Sequence, residues 1–236
     1  MNNFLRQSFT GLWKEVLRVN RPARFEEIVG QNDIKLIINK AIKSERPIHV
    51  LLLGKPGSAK TMFLTEMMRR LKNSYFIVGS NTTKAGLVNQ LFEKEPKYLL
   101  IDEIDKMSRD DQVSLLHLME TGIISETKVK KTRELKLVSW VFASANSSDG
   151  IIEPLLSRFV VLDVPDYSFE EFTDIAIKRL ANEKIDLYIA TIIAEKVWHE
   201  LGSRDIRDII KVGRLANDTQ SVSNVIDIIK KHTGTR

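Results

Sequence analysis

Lys60 and Thr61 follow a turn of Gly54, Lys55, Pro56, Gly57, Ser58 and Ala59, and Asp102 and Glu103 end an apolar run, KYLLIDE, at 97–103. These residue types at this spacing suit phosphoryl transfer. The glycines let backbone N–H groups close on phosphate oxygens, and a helix opening at Lys60 aims its positive end at the same place. Lys60 can reach the outer phosphates, and Thr61 can hold Mg²⁺ through its hydroxyl. Asp102 suits Mg²⁺, directly or through water. Glu103 suits polarising an attacking water.

Each group needs a strand to deliver it. A strand expected near 48–53 leads into the loop, and one near 97–101 leads into the carboxylates. Further strands are expected near 75–79, 138–145 and 159–164, with helices at 32–44, 60–72, 84–93 and 109–120. Alternation of this kind predicts an α/β fold, a parallel sheet covered by helices on both faces. After Pro165 only helices are expected, at 169–182, 186–200, 204–216 and 223–231. Ser168 with Glu171 forms a capping box for the first, and Ser203 is the expected cap of the third. The expected organisation is an amphipathic N-terminal helix within 1–20, an α/β domain at 21–165 and a small all-helical lid at 166–236. Leu5, Phe9, Leu12, Trp13, Val16 and Leu17 carry the helical spacing of the first segment.

Apolar residues make up 43% of the 236, enough for a sound core. The net charge of +5 is a mild bias toward anionic partners. Cysteine is absent, which excludes disulfides and thiolate metal sites. His49, His117, His199 and His232 lack ligand spacing and read as ordinary surface or helix histidines. Neither a secretory signal nor a membrane-length apolar run is present, so the chain reads as soluble and cytoplasmic.

Residues 122–138 interrupt the alternation. Two β-prone arms, Gly122–Glu126 and Glu134–Val138, flank Lys128, Lys130, Lys131 and Arg133, which predicts a hairpin with a basic tip.

Taken together, these motifs resemble those of AAA+ ATPases. GKPGSAKT and LLIDEIDKMSRDDQVSLLHLMETGIISETKV at 99–129 resemble the P-loop, Walker B strand and hairpin of MCM helicases, where Ala before the Lys is usual. RPARFEEIVGQ at 21–31 resembles the segment over the adenine in RuvB-type motors and clamp loaders. The chain departs from MCM proteins in having no N-terminal DNA-collar domain and little room for the large loop they insert after the second strand. It departs from RuvB in leaving no room for a winged helix.

The resemblance implies ATP and Mg²⁺ as cofactors. It assigns Gly54, Pro56, Gly57, Ser58, Ala59, Lys60, Thr61, Met62 and Asp102 to the nucleotide, and Ile28, Val29 and Gly30 to the base. It also implies that Asn146, ending VFASAN, is sensor 1 and that Arg158, in PLLSRF, is an arginine finger acting on a neighbouring subunit. Arg207, with Arg204 as the alternative, matches sensor 2. Ser80 or Asn81 would restrain Glu103. The hairpin matches the pre-sensor 1 hairpin. There Lys128, Lys130, Lys131 and Arg133 would contact DNA phosphates, as in MCM proteins. A protein contact, as in RuvB-type proteins, or a merely solvated tip also fits.

The expectation is therefore a homo-oligomeric ring ATPase, hexameric by resemblance, acting on DNA as a helicase or translocase core. The alternative is a protein-remodelling or loader ATPase of MoxR or clamp-loader type. A protein partner supplying DNA binding or loading fits either.

Overall fold

The computed structural model describes residues 25, 27–128, 131–216 and 218–233. The amphipathic segment at 3–19 lies outside these. The chain divides into two compact units, one reaching to Gly54 and resuming at Ala59–Val164, the other holding Pro165 onward with loop residues Lys55–Ser58.

The first unit is built on five parallel strands. They are β1 (His49–Leu53), β2 (Ser74–Val78), β3 (Tyr98–Asp102), β6 (Trp140–Ala145) and β7 (Phe159–Asp163), in the order β2-β3-β6-β1-β7. β6 therefore stands between β1 and β3, with Leu51 opposite Ala143 and Ile101 opposite the same residue. The inner strands are apolar almost throughout because both their faces are covered. The helices of this unit are α1 (Asn32–Lys43), α2 (Lys60–Arg70), α3 (Lys84–Lys94), α4 (Arg109–Thr121) and the short α5 (Glu153–Leu156). Leu87 and Leu91 of α3 and Leu115 and Leu118 of α4 pack with Leu99, Ile101 and Val141 in one core. Because the strands run the same way, Leu53, Asp102 and Ala145 all end at one edge of the sheet. Open parallel sheets bind ligands at that edge.

His49 departs from expectation. It is neither on the surface nor in a helix but buried at the start of β1, where its Nδ1 accepts the Val141 N–H of β6 at 3.1 Å.

The hairpin pairs further than its expected arms. β4 (Ile123–Lys128) and β5 (Lys131–Lys136) run antiparallel, with Ile124 opposite Leu135, Glu126 opposite Arg133 and Lys128 opposite Lys131. Ile124 and Leu137 are buried at the root, which sets the register. β-prone Thr127 and Thr132 then extend the ladder toward 129–130. Arg133 therefore lies in an arm and not at the tip. Gly122, at φ +68, ends α4 and closes the root, where its carbonyl accepts the Leu137 N–H.

The second unit holds α6 (Phe169–Asn182), α7 (Leu187–His199), α8 (Ile206–Leu215) and α9 (Thr219–Thr233). The Ser168–Glu171 capping box opens α6. The expected Ser203 cap of α8 is corrected to Asp205, whose carboxylate accepts the Arg207 N–H at 2.9 Å. Ser203 is engaged elsewhere. Its hydroxyl donates to Asp208 at 2.6 Å and accepts the Asp205 N–H at 3.2 Å.

Candidate active site

The loop after β1 is tied to the sheet at its first residue, where the Gly54 N–H donates to the Ala145 carbonyl of β6 at 3.3 Å. Gly57 takes φ +87, a conformation side chains resist. The Ser58 hydroxyl and N–H both donate to the Lys55 carbonyl, at 2.9 and 3.3 Å. Ala59 has φ −64 and is buried, so a Cβ costs nothing there and glycine is not required. It opens α2 without any side-chain cap, and the positive end of the helix suits an anion.

Lys60, only 5% exposed, bends back so that its Nζ donates to the Gly54 carbonyl at 2.8 Å. Met62 is half-buried in the same turn. The Thr61 hydroxyl donates to Oδ2 of Asp102 at 2.9 Å. Both oxygens can therefore reach one small cation, and hard oxygen donors of this kind fit Mg²⁺.

Asp102 is oriented from its other side. Oδ1 accepts a hydrogen bond from the Ser144 hydroxyl, and the Ser144 oxygen accepts the Glu103 N–H at 3.3 Å. Ser144 is 1% exposed on β6, the strand inserted between β1 and β3. It was not among the residues singled out in the sequence. The available signal was a hydroxyl inside the apolar run WVFASA, since a buried polar group needs a partner.

Glu103 sits at φ 55, left-handed and unusual for a side-chain-bearing residue, and starts the 3₁₀ turn Ile104–Lys106. Its carboxylate accepts a long hydrogen bond, 3.5 Å, from the Ser80 hydroxyl in the 3₁₀ turn Gly79–Asn81 that follows β2. Asn81 ends the same turn. Asn146 follows β6 at the same sheet edge, exposed.

Other expected residues lie apart from this cluster. Ile28 is 2% exposed within the core, and its carbonyl accepts Lys35 Nζ at 2.6 Å. Val29 and Gly30 are half-exposed beside it. Arg158 donates from Nε and Nη2 to Oε1 of Glu120 on α4, the first at 3.0 Å. Arg133 donates to Asn89 of α3 at 3.0 Å and stacks over Phe92 at 4.8 Å. Lys128 and Lys131 are backbone partners in the strand register, and Lys130 lies outside the described residues.

The two arginines expected of the second unit differ. Arg204 stacks 3.4 Å from the Trp198 ring centre and donates to the Trp198 carbonyl. Arg207 is exposed and paired with Asp205 at 2.6 Å. Burial acts to raise the Asp205 carboxyl, but hydrogen bonds and charge from Arg207 outweigh it and hold it below its ordinary value.

Among known proteins, residues 26–196 match the family described as MCM P-loop domain. The DNA replication licensing factor mcm2 of Schizosaccharomyces pombe is 28% identical over 186 residues, covering 66% of this chain and 21% of that protein. The Holliday junction branch migration complex subunit RuvB of Anaplasma marginale is 31% identical over 198 residues, 78% of this chain and 58% of that protein. The chain thus spans about a fifth to somewhat over half the length of these relatives. The solved Thermotoga maritima RuvB Holliday junction branch migration motor superposes with a TM-score of 0.67 at 22% identity, over 89% of this chain and 73% of that one. No helix among the described residues is long and apolar enough to cross a membrane. With the AAA+ fold in hand and most of its length matched, the chain belongs to the MCM P-loop domain family.

Proposed function

We propose that this chain is the ATP-hydrolysing core of a ring-shaped motor that acts on DNA. One observation carries the reading: Thr61 and Asp102 are in hydrogen-bond contact beside Lys60 and Glu103, at the carboxyl edge of the sheet, in a member of the MCM P-loop domain family.

Lys60 exchanges the Gly54 carbonyl for the outer phosphates, and the positive end of α2 faces the same oxygens. Thr61 and Asp102 would hold Mg²⁺, which would supply positive charge against the phosphate oxygens. Glu103, in an unusual backbone conformation, takes the proton of an attacking water. Asn146 orients that water through its amide. Ser80 holds Glu103 back until a partner draws it away. Arg158 acts on the nucleotide of the neighbouring subunit in a homo-oligomer, with a hexamer as the expected ring. Arg207 is the lid arginine that reads the nucleotide, since Arg204 is committed to Trp198. Lys128, Lys130 and Lys131 contact phosphates of DNA without reading its sequence.

The test is steady-state ATPase activity with and without DNA over a salt titration, in the natural chain and in a Lys128/Lys130/Lys131→Ala variant. DNA stimulation that falls with salt and vanishes in the variant is expected. Activity indifferent to every DNA form overturns the reading.

A further inference from the structure

Arg158 is exposed, yet one edge of its guanidinium is fixed. Nε and Nη2 both donate to the same oxygen of Glu120. That arrangement sets the plane of the fork and leaves its remaining N–H groups for a second anion. Exposed ion pairs add little to stability, so the value of this contact lies in its geometry.

The position of Glu120 gives the contact a consequence. It stands in the last turn of α4, and Gly122 then turns the chain into β4, the first arm of the hairpin. The other end of α4 begins at Ser108, directly after the turn that Glu103 starts. One helix therefore runs from the hydrolytic carboxylate to the hairpin root. It is also bolted to the segment that carries Arg158. Gln112, 2% exposed, donates to the Gly150 carbonyl at 2.7 Å and accepts the Ile152 N–H at 2.8 Å. All the polar atoms of its amide are engaged across this seam, with a further bond to the Met107 carbonyl at 3.1 Å.

We propose that Glu120 is the positioning residue for Arg158. It fixes the guanidinium at the root of the hairpin, so that a displacement of the hairpin reaches the residue serving the neighbouring subunit's nucleotide. This rests on the trans role of Arg158 proposed above.

The experiment measures ATPase kinetics of Arg158→Ala, Glu120→Ala and Glu120→Gln, each alone and mixed with Lys60→Ala, with and without DNA. Misplacing a reacting group costs roughly 10–100-fold, so Glu120→Ala should lose about that much in kcat, with KM for ATP within about twofold. Its residual activity should no longer respond to DNA. Glu120→Gln keeps an acceptor oxygen and should recover most of the rate and the response. Mixing with Lys60→Ala should restore activity to Glu120→Ala as it does to Arg158→Ala, because the Lys60→Ala subunit supplies an intact finger. Rescue of Arg158→Ala without rescue of Glu120→Ala overturns this inference and leaves the ring reading standing. Failure of both mixtures overturns the trans role itself. An unchanged kcat in Glu120→Ala, or a change confined to KM, overturns the positioning role of Glu120 and leaves the trans role standing. Should Glu120→Ala melt early, the Gln variant carries the comparison, and a Gln variant as slow as Ala overturns the inference.

Discussion

The carboxyl edge of the sheet and the β4–β5 hairpin are built on opposite principles. At the edge, each reactive group is delivered by a strand of the covered sheet, and both carboxylates are hydrogen-bonded. Ser144 donates to Asp102, and Ser80 donates to Glu103. In the hairpin, two strands pair only with each other, and burial is confined to the root at Ile124 and Leu137. A two-stranded ribbon is marginal by itself. Arg133, stacked on Phe92 and bonded to Asn89, adds one external hold. The difference separates two demands. Chemistry needs positions fixed to a fraction of an ångström, whereas gripping a polyanion needs a charged arm that can move.

The sharpest way to break this contrast is at Glu103. Glu103→Gln keeps the side chain's size and leaves the Thr61–Asp102 pair intact. Hydrolysis should fall by ~10²–10⁴ while ATP binding survives, read by single-turnover hydrolysis beside nucleotide titration. Normal turnover would remove Glu103 from the mechanism.

A smaller effect tests whether the buried sheet holds the edge. Burial lowers the His49 pKa to about 4, against a weaker opposing hydrogen bond to the Met119 backbone. Between that value and the ordinary one near 6.5, the unfolded chain takes up a proton that the folded chain refuses. Stability is therefore fully present above about 6.5 and is lost as pH falls toward 4. The loss from pH 7 to pH 5 should be about 2 kcal/mol, measured by urea unfolding. A His49→Asn variant should be less stable at pH 7 and show a flatter profile over the same range. An equal slope in both would place the acid sensitivity elsewhere.

The smallest effect is expected at Arg133. An exposed cation–aromatic contact contributes ~0.5–1 kcal/mol, so Arg133→Ala should barely move global unfolding. Amide exchange in β4 and β5 should nevertheless quicken. Exchange unchanged in the hairpin would mean that its root alone holds it.

Much of the fold was legible because its signals are local. The apolar runs and their spacing announced five strands, and Ser168 with Glu171 announced the start of α6, since a capping box is made within four residues. The cap of α8 was misread because Ser203 and Asp205 compete for neighbouring N–H groups and Asp208 takes the Ser203 hydroxyl. The hairpin arms were drawn too short because the charge run masked the pairing preference of Thr127 and Thr132.

By itself, the sequence determined the reactive inventory: Lys60, Thr61, Asp102 and Glu103, each at the end of an apolar run or the start of a helix. Side-chain chemistry and backbone propensity both act within a few residues, so they can be read along the chain. Only the tertiary structure decided that β6 lies between β1 and β3, which brings Ser144 to Asp102 from 42 residues away. It alone decided that Glu120 meets Arg158 across 38 residues. Those contacts depend on how strands order themselves and how helices pack on them, a balance of burial over the whole sheet that no local pattern records.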